Sequence, residues 1–302
     1  MAILRKQIFA VLAICLGLIA ATLIAEISAR IILPKNRLSE IIRPSADPLL
    51  GEELVPGAKI LFAGGQSKIA PTEVVVSSQG FRDHMFPERK PANKFRIACL
   101  GDSFAFGWGV NQEQAYPKQL ELSLANLGIS AECINMGVPG YGLSQEVRLL
   151  KTKGLKFEPD LAIFGVVGDD LAGSRIVRIQ GSPSLLIRWI RGRSAAEKAR
   201  NAADYVIVEK VLNDLVRVSA EHHLQVKFVL LTGVPDQNRF LMLLKERNFE
   251  VRDLSFVIED PNNQISSRDH HPNAKAHHLY AEKIAEQIFQ MNLQQNSLAV
   301  LK

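Results

Sequence analysis

The fold is decided by the stretch FRIACLGDSFAFG, which occupies residues 95–107. Its first six residues are mostly apolar and are bounded by polar ones, a pattern that predicts a buried β-strand. The strand ends at a Gly-Asp-Ser turn, so Ser103 should lie just beyond its carboxyl end. Ligands bind at that edge of open α/β sheets, and a hydroxyl placed there becomes a nucleophile when a base accepts its proton.

A second stretch, DHHPN at residues 269–273, supplies a candidate base. A carboxylate two residues before a histidine can orient the imidazole, which can then activate Ser103. Two further turns each follow an apolar run of their own: NMGVPGYG at residues 135–142 and GVVGDD at residues 165–170. We therefore expect four turns to meet at one edge of the sheet and to form a single cleft.

The other apolar runs alternate between strand and helix patterns, as in α/β proteins. Strands are predicted at residues 131–135, 159–167, 226–231 and 249–254, and helices at residues 115–127, 143–155, 195–222, 240–247 and 274–290. Short connections between these elements imply that the strands run parallel. The sequence thus predicts a three-layer α/β/α sandwich around a parallel sheet.

In these motifs the chain resembles the SGNH hydrolases, also called GDSL-like lipases and esterases, over residues 95–292. The resemblance implies a flavodoxin-like sheet and serine-hydrolase chemistry. Ser103 would be the nucleophile, His271 the general base, and Asp269 the residue that orients the histidine. The Asp-x-His block is one residue shorter than the commonest family spacing, and a close variant of this kind occurs among the relatives that the chain resembles.

The resemblance also implies an oxyanion hole, formed by the backbone N–H groups of Ser103 and Gly140 and by the side chain at position 169. The family expects Asn-Asp in this block, whereas this chain has Asp169-Asp170. An ionised carboxylate cannot donate a hydrogen bond to an oxyanion, so Asp169 predicts a slow enzyme. Alternatively, Asp169 is protonated and donates, because two adjacent carboxylates resist double ionisation.

Three further residues are candidates for binding substrate. Trp108 and Tyr141 lie beside the motifs, where lining the pocket and packing in the core are equally plausible. Arg175 belongs to an insertion, residues 171–194, in which arginines are interleaved with Trp, Leu and Ile. That composition predicts a lid, a substrate-binding flap or a surface for an anionic membrane, and a solvated connection is the alternative.

The chain gives no sign of a cofactor. No histidine spacing is typical of a metal site, there is no Cys-x-x-Cys pair, and we expect no metal. His277, on the last predicted helix, is expected to be partly exposed. Asp102 is expected to bond the backbone of its own turn rather than to act as the catalytic acid. The net charge of +5 is mildly basic, and without a recognised motif or a long basic run it does not indicate nucleic acid as a partner.

The N-terminus carries a run without charge from Ile8 to Ala25, preceded by Arg5 and Lys6. Its length is at the lower limit for spanning a bilayer. We expect residues 1–30 to form a cytoplasmic stub and an uncleaved signal anchor, with a cleaved signal peptide as the alternative. The preceding basic residues favour a cytoplasmic N-terminus, although basic residues also follow the run. This predicts a single-pass protein of a bacterial inner membrane, with the catalytic domain facing the periplasm or the cell exterior.

Residues 31–94 are rich in Pro, Gly and Ser, and we interpret them as a linker and a small β extension with strands near 59–63 and 72–76. The segment GFRD, residues 80–83, resembles one that often precedes the Gly-Asp-Ser block in related bacterial proteins. We interpret it as a surface arm without a catalytic role, and packing beside the cleft is the alternative. Residues 293–302 are expected to form a C-terminal tail.

The sequence therefore predicts a serine hydrolase that removes O-acyl groups, acetyl in the first instance, from an extracytoplasmic glycan or lipid through an acyl-enzyme. An O-acyltransferase acting on a cell-surface polysaccharide would use the same intermediate. A non-catalytic glycan-binding protein is the third hypothesis, motivated by Asp169. The expected partners are an acylated carbohydrate or lipid and, through residues 8–25, a membrane.

Overall fold

The computed structural model describes residues 2–32, 38–64, 69–171 and 204–300. The N-terminal helix and the described residues from 38 onward belong to two separate compact units. The predicted insertion at residues 171–194, which includes Arg175, lies outside the described residues except for Leu171.

The N-terminal unit contains helix α1 (Ala2–Ile32). Its segment Arg5–Ser28 has a mean hydropathy of 2.8 and is long and apolar enough to cross a membrane by length and composition. Large apolar side chains such as Phe9 and Leu16 are exposed along it. A signal sequence near the N-terminus has the same length and composition, so the helix agrees with the predicted anchor and with its alternative.

The second unit begins with the extension that precedes the Gly-Asp-Ser turn. It contains a short helix and two antiparallel hairpins: α2 (Leu38–Ile41), β1 (Ile42–Pro44), β2 (Glu52–Leu54), β3 (Lys59–Gly64) and β4 (Ile69–Val75). The second hairpin contains both strands expected in this region. Leu50, Val76 and Phe81 are buried in the same apolar cluster as the central sheet. The described part of the extension is therefore packed into the unit that it precedes.

The central sheet has five strands, all parallel: β5 (Phe95–Gly101), β6 (Ala131–Asn135), β7 (Leu161–Val166), β8 (Gln225–Leu230) and β9 (Glu250–Asp253). Their spatial order is β6-β5-β7-β8-β9. Counted from the first core strand this is 2-1-3-4-5, the flavodoxin-like order. The predicted fold class is confirmed, and the strand order reverses at β5, the strand that leads into Ser103.

Helices cover both faces of the sheet: α3 (Ser103–Phe106), α4 (Tyr116–Asn126), α5 (Leu143–Leu149), α6 (Tyr205–His222), α7 (Gln237–Glu246), α8 (Phe256–Glu259) and α9 (Ala274–Val300). On one face Leu120 of α4 and Ile284 of α9 share a cluster with Ile163 of β7. On the other, Leu212 of α6 packs in the cluster of Phe228 of β8. The result is a three-layer sandwich buried on both sides of the sheet, which explains the continuous apolar runs.

Three features differ from the expectations. The helix predicted at residues 143–155 ends its α-helical part at Leu149 and continues as a wider π-helical turn, Leu150–Gly154. Helix α9 extends to Val300, through most of the residues expected to be a tail. A two-stranded antiparallel ribbon, β10 (Gln264–Ser266) and β11 (Asp269–Pro272), was not predicted, and it carries the Asp-x-His block.

Candidate active site

The four predicted turns meet at the carboxyl edge of the sheet, around a cleft of about 870 Å³. Ser103 follows β5, Gly140 lies in the loop after β6, Asp169 follows β7, and His271 reaches the cleft from β11. The loop after β8 adds Thr232 and its neighbours to the wall. The cleft thus lies at the point where the strand order reverses, as expected for a ligand site in an open α/β sheet.

The nucleophile turn is fixed by local geometry. Ser103 is the first residue of α3, and Asp102 caps this helix by accepting a hydrogen bond from the Phe104 N–H at 2.8 Å. Gly101 has a φ of 153°, and a Cβ at this position would lie 2.8 Å from the Cβ of Ala105 and 3.0 Å from the Gly165 carbonyl. Glycine is therefore required for β5 to turn directly into α3 beside β7.

Ser103, His271 and Asp269 form a continuous hydrogen-bonded chain. The Ser103 Oγ lies 2.9 Å from the His271 Nε2, and the His271 Nδ1 lies 2.6 Å from the Asp269 Oδ1. The same Asp269 oxygen also accepts the His271 backbone N–H at 3.1 Å. Because Nδ1 donates to the carboxylate, Nε2 is left as an acceptor facing the serine hydroxyl, which is the tautomer that a general base needs.

The short spacing of the last block follows from the ribbon that carries it. Residues two apart on a strand point to the same face, so Asp269 and His271 face the cleft together. His270 points the other way and bonds to the Gln264 Oε1 through its Nδ1 at 2.6 Å. Asn273 closes the ribbon by donating to the Gln264 carbonyl at 3.0 Å. An Asp-x-His pair on a strand therefore brings acid and base together without the extra residue.

Asp102 bonds the backbone of its turn, as predicted, but its second oxygen lies 3.1 Å from the Ser103 Oγ. The serine hydroxyl has one proton and would thus have two acceptors, Asp102 and His271. Burial raises the pKa of Asp102, with the bond from Phe104 and the nearby imidazole acting in the opposite direction. A neutral Asp102 would leave the serine proton to His271.

Two more carboxyl groups are buried near Asp102. Burial raises the pKa of Glu146 well above its usual value, and the charge of Asp102 adds to the shift. Burial likewise raises the pKa of Asp170, and the neighbouring carboxyl groups of Asp102 and Glu146 add to the shift. Both Glu146 oxygens and one Asp170 oxygen have no hydrogen-bond partner among the described residues. This side of the site therefore favours protonated, neutral acids.

Asp102 and Asp170, together with Asp169, form the one group among the described residues with the spacing of a metal site. Single oxygens of Asp102, Asp169 and Asp170 lie within 4.8 Å of one another. Asp102 already accepts from Phe104, however, and Asp170 accepts the Val167 N–H at 2.7 Å. Sharing protons is the alternative way to relieve the repulsion. The expectation that no metal takes part stays a prediction.

The geometry of the oxyanion hole is only partly as expected. Gly140 has a φ of 84°, and a Cβ at this position would meet nothing within 4 Å. The left-handed backbone at position 140 is therefore what favours glycine there, because a side chain would meet no obstacle and would project into open space. Asp169 is half-buried in the cleft wall. Asp170 fixes this corner because its carbonyl accepts the Leu143 N–H at 3.1 Å, which joins the turn after β7 to the start of α5.

The three candidate substrate-binding residues, Trp108, Tyr141 and Arg175, differ in where they lie relative to the cleft. Trp108 lines the cleft, and its indole Nε1 also donates to the Asp269 Oδ2 at 3.3 Å. Tyr141 is not a wall residue: its ring is buried and its hydroxyl donates to the Glu52 carbonyl at 2.5 Å. An aromatic residue beside the glycine motif is here used to hold the extension onto the core. Arg175 lies outside the described residues.

His277 is fully buried, so the expectation of partial exposure was wrong. Its Nδ1 accepts the Tyr116 backbone N–H at 3.2 Å, and burial lowers its pKa to about 3. The sequence did indicate this burial, because His277 lies four residues before Ala281 and seven before Ile284, and both belong to the apolar stripe of α9. The histidine is a neutral core residue.

The segment GFRD is also buried, which overturns its interpretation as a surface arm. The Arg82 guanidinium donates to the Phe106 carbonyl at 2.8 Å and to the Val110 carbonyl at 2.7 Å, below the end of α3. Burial lowers the pKa of Arg82 to about 10. Asp83 accepts the Asn135 N–H at 2.9 Å at the end of β6. Sequence reasoning missed this support of the nucleophile turn, and the resemblance of GFRD to related segments was its only signal.

Comparisons with known proteins add distant similarities. No protein-family model matches the chain, and no curated protein matches it in sequence. Among solved structures it is similar to the psychrotrophic esterase EstA from a Pseudoalteromonas species, at 15% identity and a TM-score of 0.46, covering 66% of this chain and 99% of that one. It is similar to the acetyl xylan esterase AlAXEase at 16% identity and a TM-score of 0.45, covering 64% and 99%.

A two-domain esterase active on acetylated mannans, CEX, is similar at 18% identity and a TM-score of 0.47, covering 66% of this chain and 50% of that one. The sheet order and the residues around the cleft are observed in this chain itself and do not depend on those similarities. The described domain has the three-layer α/β fold that its resemblance to the SGNH hydrolases implies, with Ser103, His271 and Asp269 together at the carboxyl edge of its sheet.

Proposed function

We propose that the chain is a serine hydrolase that cleaves acyl esters through an acyl-enzyme. One observation carries this proposal: the Ser103 Oγ, the imidazole of His271 and the carboxylate of Asp269 are linked at 2.9 Å and 2.6 Å in an open cleft. Each contact has the polarity that proton transfer from serine to histidine requires. A serine in an ordinary turn would have neither the base nor the residue that orients it.

The reaction follows from these contacts. The Ser103 Oγ attacks the acyl carbonyl carbon while its proton passes to the His271 Nε2, and Asp269 stabilises the imidazolium that forms. When the tetrahedral intermediate collapses, the bond to the leaving alcohol breaks and His271 returns the proton to the alcohol oxygen. Water, activated by the same histidine, then attacks the acyl-enzyme and releases the acid.

The oxyanion would be bound by the N–H groups of Ser103 and Gly140. Asp169 stands where a third donor is expected, and as an ionised group it would repel the oxyanion. We therefore propose a slow hydrolase rather than an inactive one, because backbone donors and the complete triad each contribute to the rate independently of the third donor.

For the substrate we propose an O-acylated glycan, with acetyl as the acyl group. The wall of the cleft offers polar side chains suited to sugar hydroxyls, among them Thr232, Gln264 and Arg268. Its volume of about 870 Å³ is ample for one or more sugar units beside the serine. With α1 as a membrane anchor, this glycan would lie outside the cytoplasm, on the periplasmic or outer side of a bacterial inner membrane.

An O-acyltransferase is the second candidate. The carboxylate of Asp169 in the cleft wall could accept a hydrogen bond from the hydroxyl of a sugar acceptor and aim it at the acyl-enzyme. Hydrolase and transferase then differ only in whether water or that hydroxyl resolves the intermediate. Product analysis with an oligosaccharide acceptor present distinguishes them, because a transferase yields an acylated acceptor.

The decisive experiment is labelling of the full chain by a fluorophosphonate, which forms a bond only with an activated serine. We expect labelling of the wild type and none of Ser103→Ala, together with turnover of small acyl esters by the wild type alone. His270→Ala, a change at an exposed neighbour of the triad, should keep the label. If the wild type is neither labelled nor able to hydrolyse any of the small acyl esters tested, the non-catalytic glycan-binding hypothesis is supported instead.

A further inference from the structure

We propose that Trp108 is a positioning residue that sets the distance between the nucleophile turn and the Asp269–His271 strand; this inference rests on the proposed serine-hydrolase function. The starting observation is that one residue contacts both halves of the site. The Trp108 backbone N–H donates to the Ser103 carbonyl at 3.0 Å. Its indole Nε1 donates to the Asp269 Oδ2 at 3.3 Å.

The bond to Asp269 involves the oxygen that does not contact the imidazole. The Asp269 Oδ1 accepts from the His271 Nδ1 and the His271 backbone, and rotation of the carboxylate about its Cβ–Cγ bond would carry Oδ1 away from both donors. A donor on Oδ2 restricts that rotation and keeps Oδ1 in line with the imidazole. Hydrogen bonds to ionised acceptors are among the stronger ones, so a single indole N–H can have a measurable effect.

The orientation of the indole is itself fixed. Its ring lies beside the His271 ring, with centroids 5.5 Å apart, and against the edge of Phe62, with centroids 4.6 Å apart. Phe62 belongs to β3, so the extension supports the triad through Trp108. The backbone of Trp108 follows directly on Gly107, the left-handed residue that ends α3. The backbone end of this connection is thus bonded to Ser103 and its indole end to Asp269.

The inference makes Trp108 more than a wall of the pocket. If it only lined the cleft, its loss would weaken substrate binding and raise KM, leaving the hydrogen bond between Asp269 and His271 intact. If it positions Asp269, its loss would lower kcat and change that bond even without substrate. The two roles are therefore separable by measurement.

The test is Trp108→Phe in the detergent-solubilised full chain, a change that keeps an aromatic ring but removes the N–H. We expect kcat on a small acetyl ester to fall about tenfold, the order of one hydrogen bond to a charged group, with KM changed by less than about twofold. The downfield proton resonance of the His271–Asp269 hydrogen bond, read by NMR without substrate, should shift or broaden. Phe62→Leu, which loosens the indole from its other side, should change both in the same direction and by less.

The matched control is Tyr141→Phe, which also removes one buried aromatic donor that joins the extension to the core. It should lower the melting temperature without changing kcat or the downfield resonance. If Trp108→Phe raises KM alone, or leaves the resonance and kcat as in the wild type, the proposal is overturned. The resonance also decides the matter in a protein without ester turnover, so failure of the proposed function and failure of this inference are distinguishable.

Discussion

The two sides of the cleft are built in opposite ways. On the nucleophile side, Ser103 begins a buried helical turn that follows a strand buried from Arg96 to Gly101, and Asp102 and Asp170 are buried with it. On the acid–base side, Asp269 and His271 lie on a four-residue strand of a two-stranded ribbon, with Arg268 exposed beside them. The first side is held by core packing, whereas the second is held by a small number of hydrogen bonds.

This difference indicates where each kind of substitution should act. Changes on the nucleophile side affect stability as well as chemistry, because that side is continuous with the sheet. Changes on the ribbon should affect chemistry first, because a short exposed ribbon contributes little apolar burial to the fold. The predictions below use this contrast, beginning with the largest expected effect.

The strongest prediction concerns the two adjacent histidines of the ribbon. His271→Ala should lower kcat/KM on an acyl ester by roughly 10⁴-fold, since the base is lost while the fold is kept. His270→Ala should stay within about threefold of the wild type, because that side chain bonds to Gln264 on the other face of the strand. Steady-state kinetics and circular dichroism of both variants check this. If His271→Ala keeps near-normal activity and His270→Ala loses it, the ribbon presents the face that carries His270 to the cleft.

The next prediction concerns the third turn. Asp169→Asn should raise kcat/KM, by up to about 100-fold, because an amide supplies the N–H donor that a carboxylate lacks and removes a charge that repels the oxyanion. Asp169→Ala is the matched control: it removes the charge without adding a donor and should gain less. A large loss in Asp169→Asn at every pH would show that the carboxylate has its own role, such as holding an acceptor hydroxyl.

The parts of the molecule that were predictable correspond to the same two sides. Strands β5 and β7 could be predicted because parallel strands buried on both faces are continuous apolar runs, here residues 97–100 and 161–164. The edge strand β9 is mostly polar and exposed, so burial on both faces does not explain its prediction. Because three of the sheet strands, β5, β6 and β7, end in the motif turns, the common edge of those turns follows from topology alone. Ser103, Gly140 and Asp169 could therefore be assigned to one cleft before any contact was known.

The ribbon and its supports could not be predicted in the same way. Strands β10 and β11 are three and four residues long and mostly polar, so they lack the alternation that marks a half-buried strand. Arg82 lies in a polar segment, and its burial depends on carbonyls of α3 that are distant in sequence. The bond from Trp108 to Asp269 joins residues 161 positions apart, and only the assembled fold brings them together.

The last prediction concerns stability rather than turnover, and it tests the buried carboxyl group behind the nucleophile turn. Glu146 is almost fully buried in α5, and neither of its oxygens has a hydrogen-bond partner among the described residues. Burial raises its pKa, with Asp102 adding to the shift, so the folded protein holds a proton there that the unfolded chain releases. Folding then takes up a proton, and stability must decrease as the pH rises from the unfolded value towards the folded one.

Glu146→Gln removes this dependence because the amide does not titrate. Near pH 4 the variant and the wild type should differ little in free energy of unfolding. As the pH rises the difference should grow in favour of the variant by up to about 1.4 kcal/mol per pH unit, until the pKa of Glu146 in the folded protein is reached. Denaturant unfolding between pH 4 and pH 8 measures it, with Glu113→Gln as the control because that carboxylate is exposed on the surface. A wild type whose stability rises with pH in parallel with the variant would mean that Glu146 is ionised in the fold.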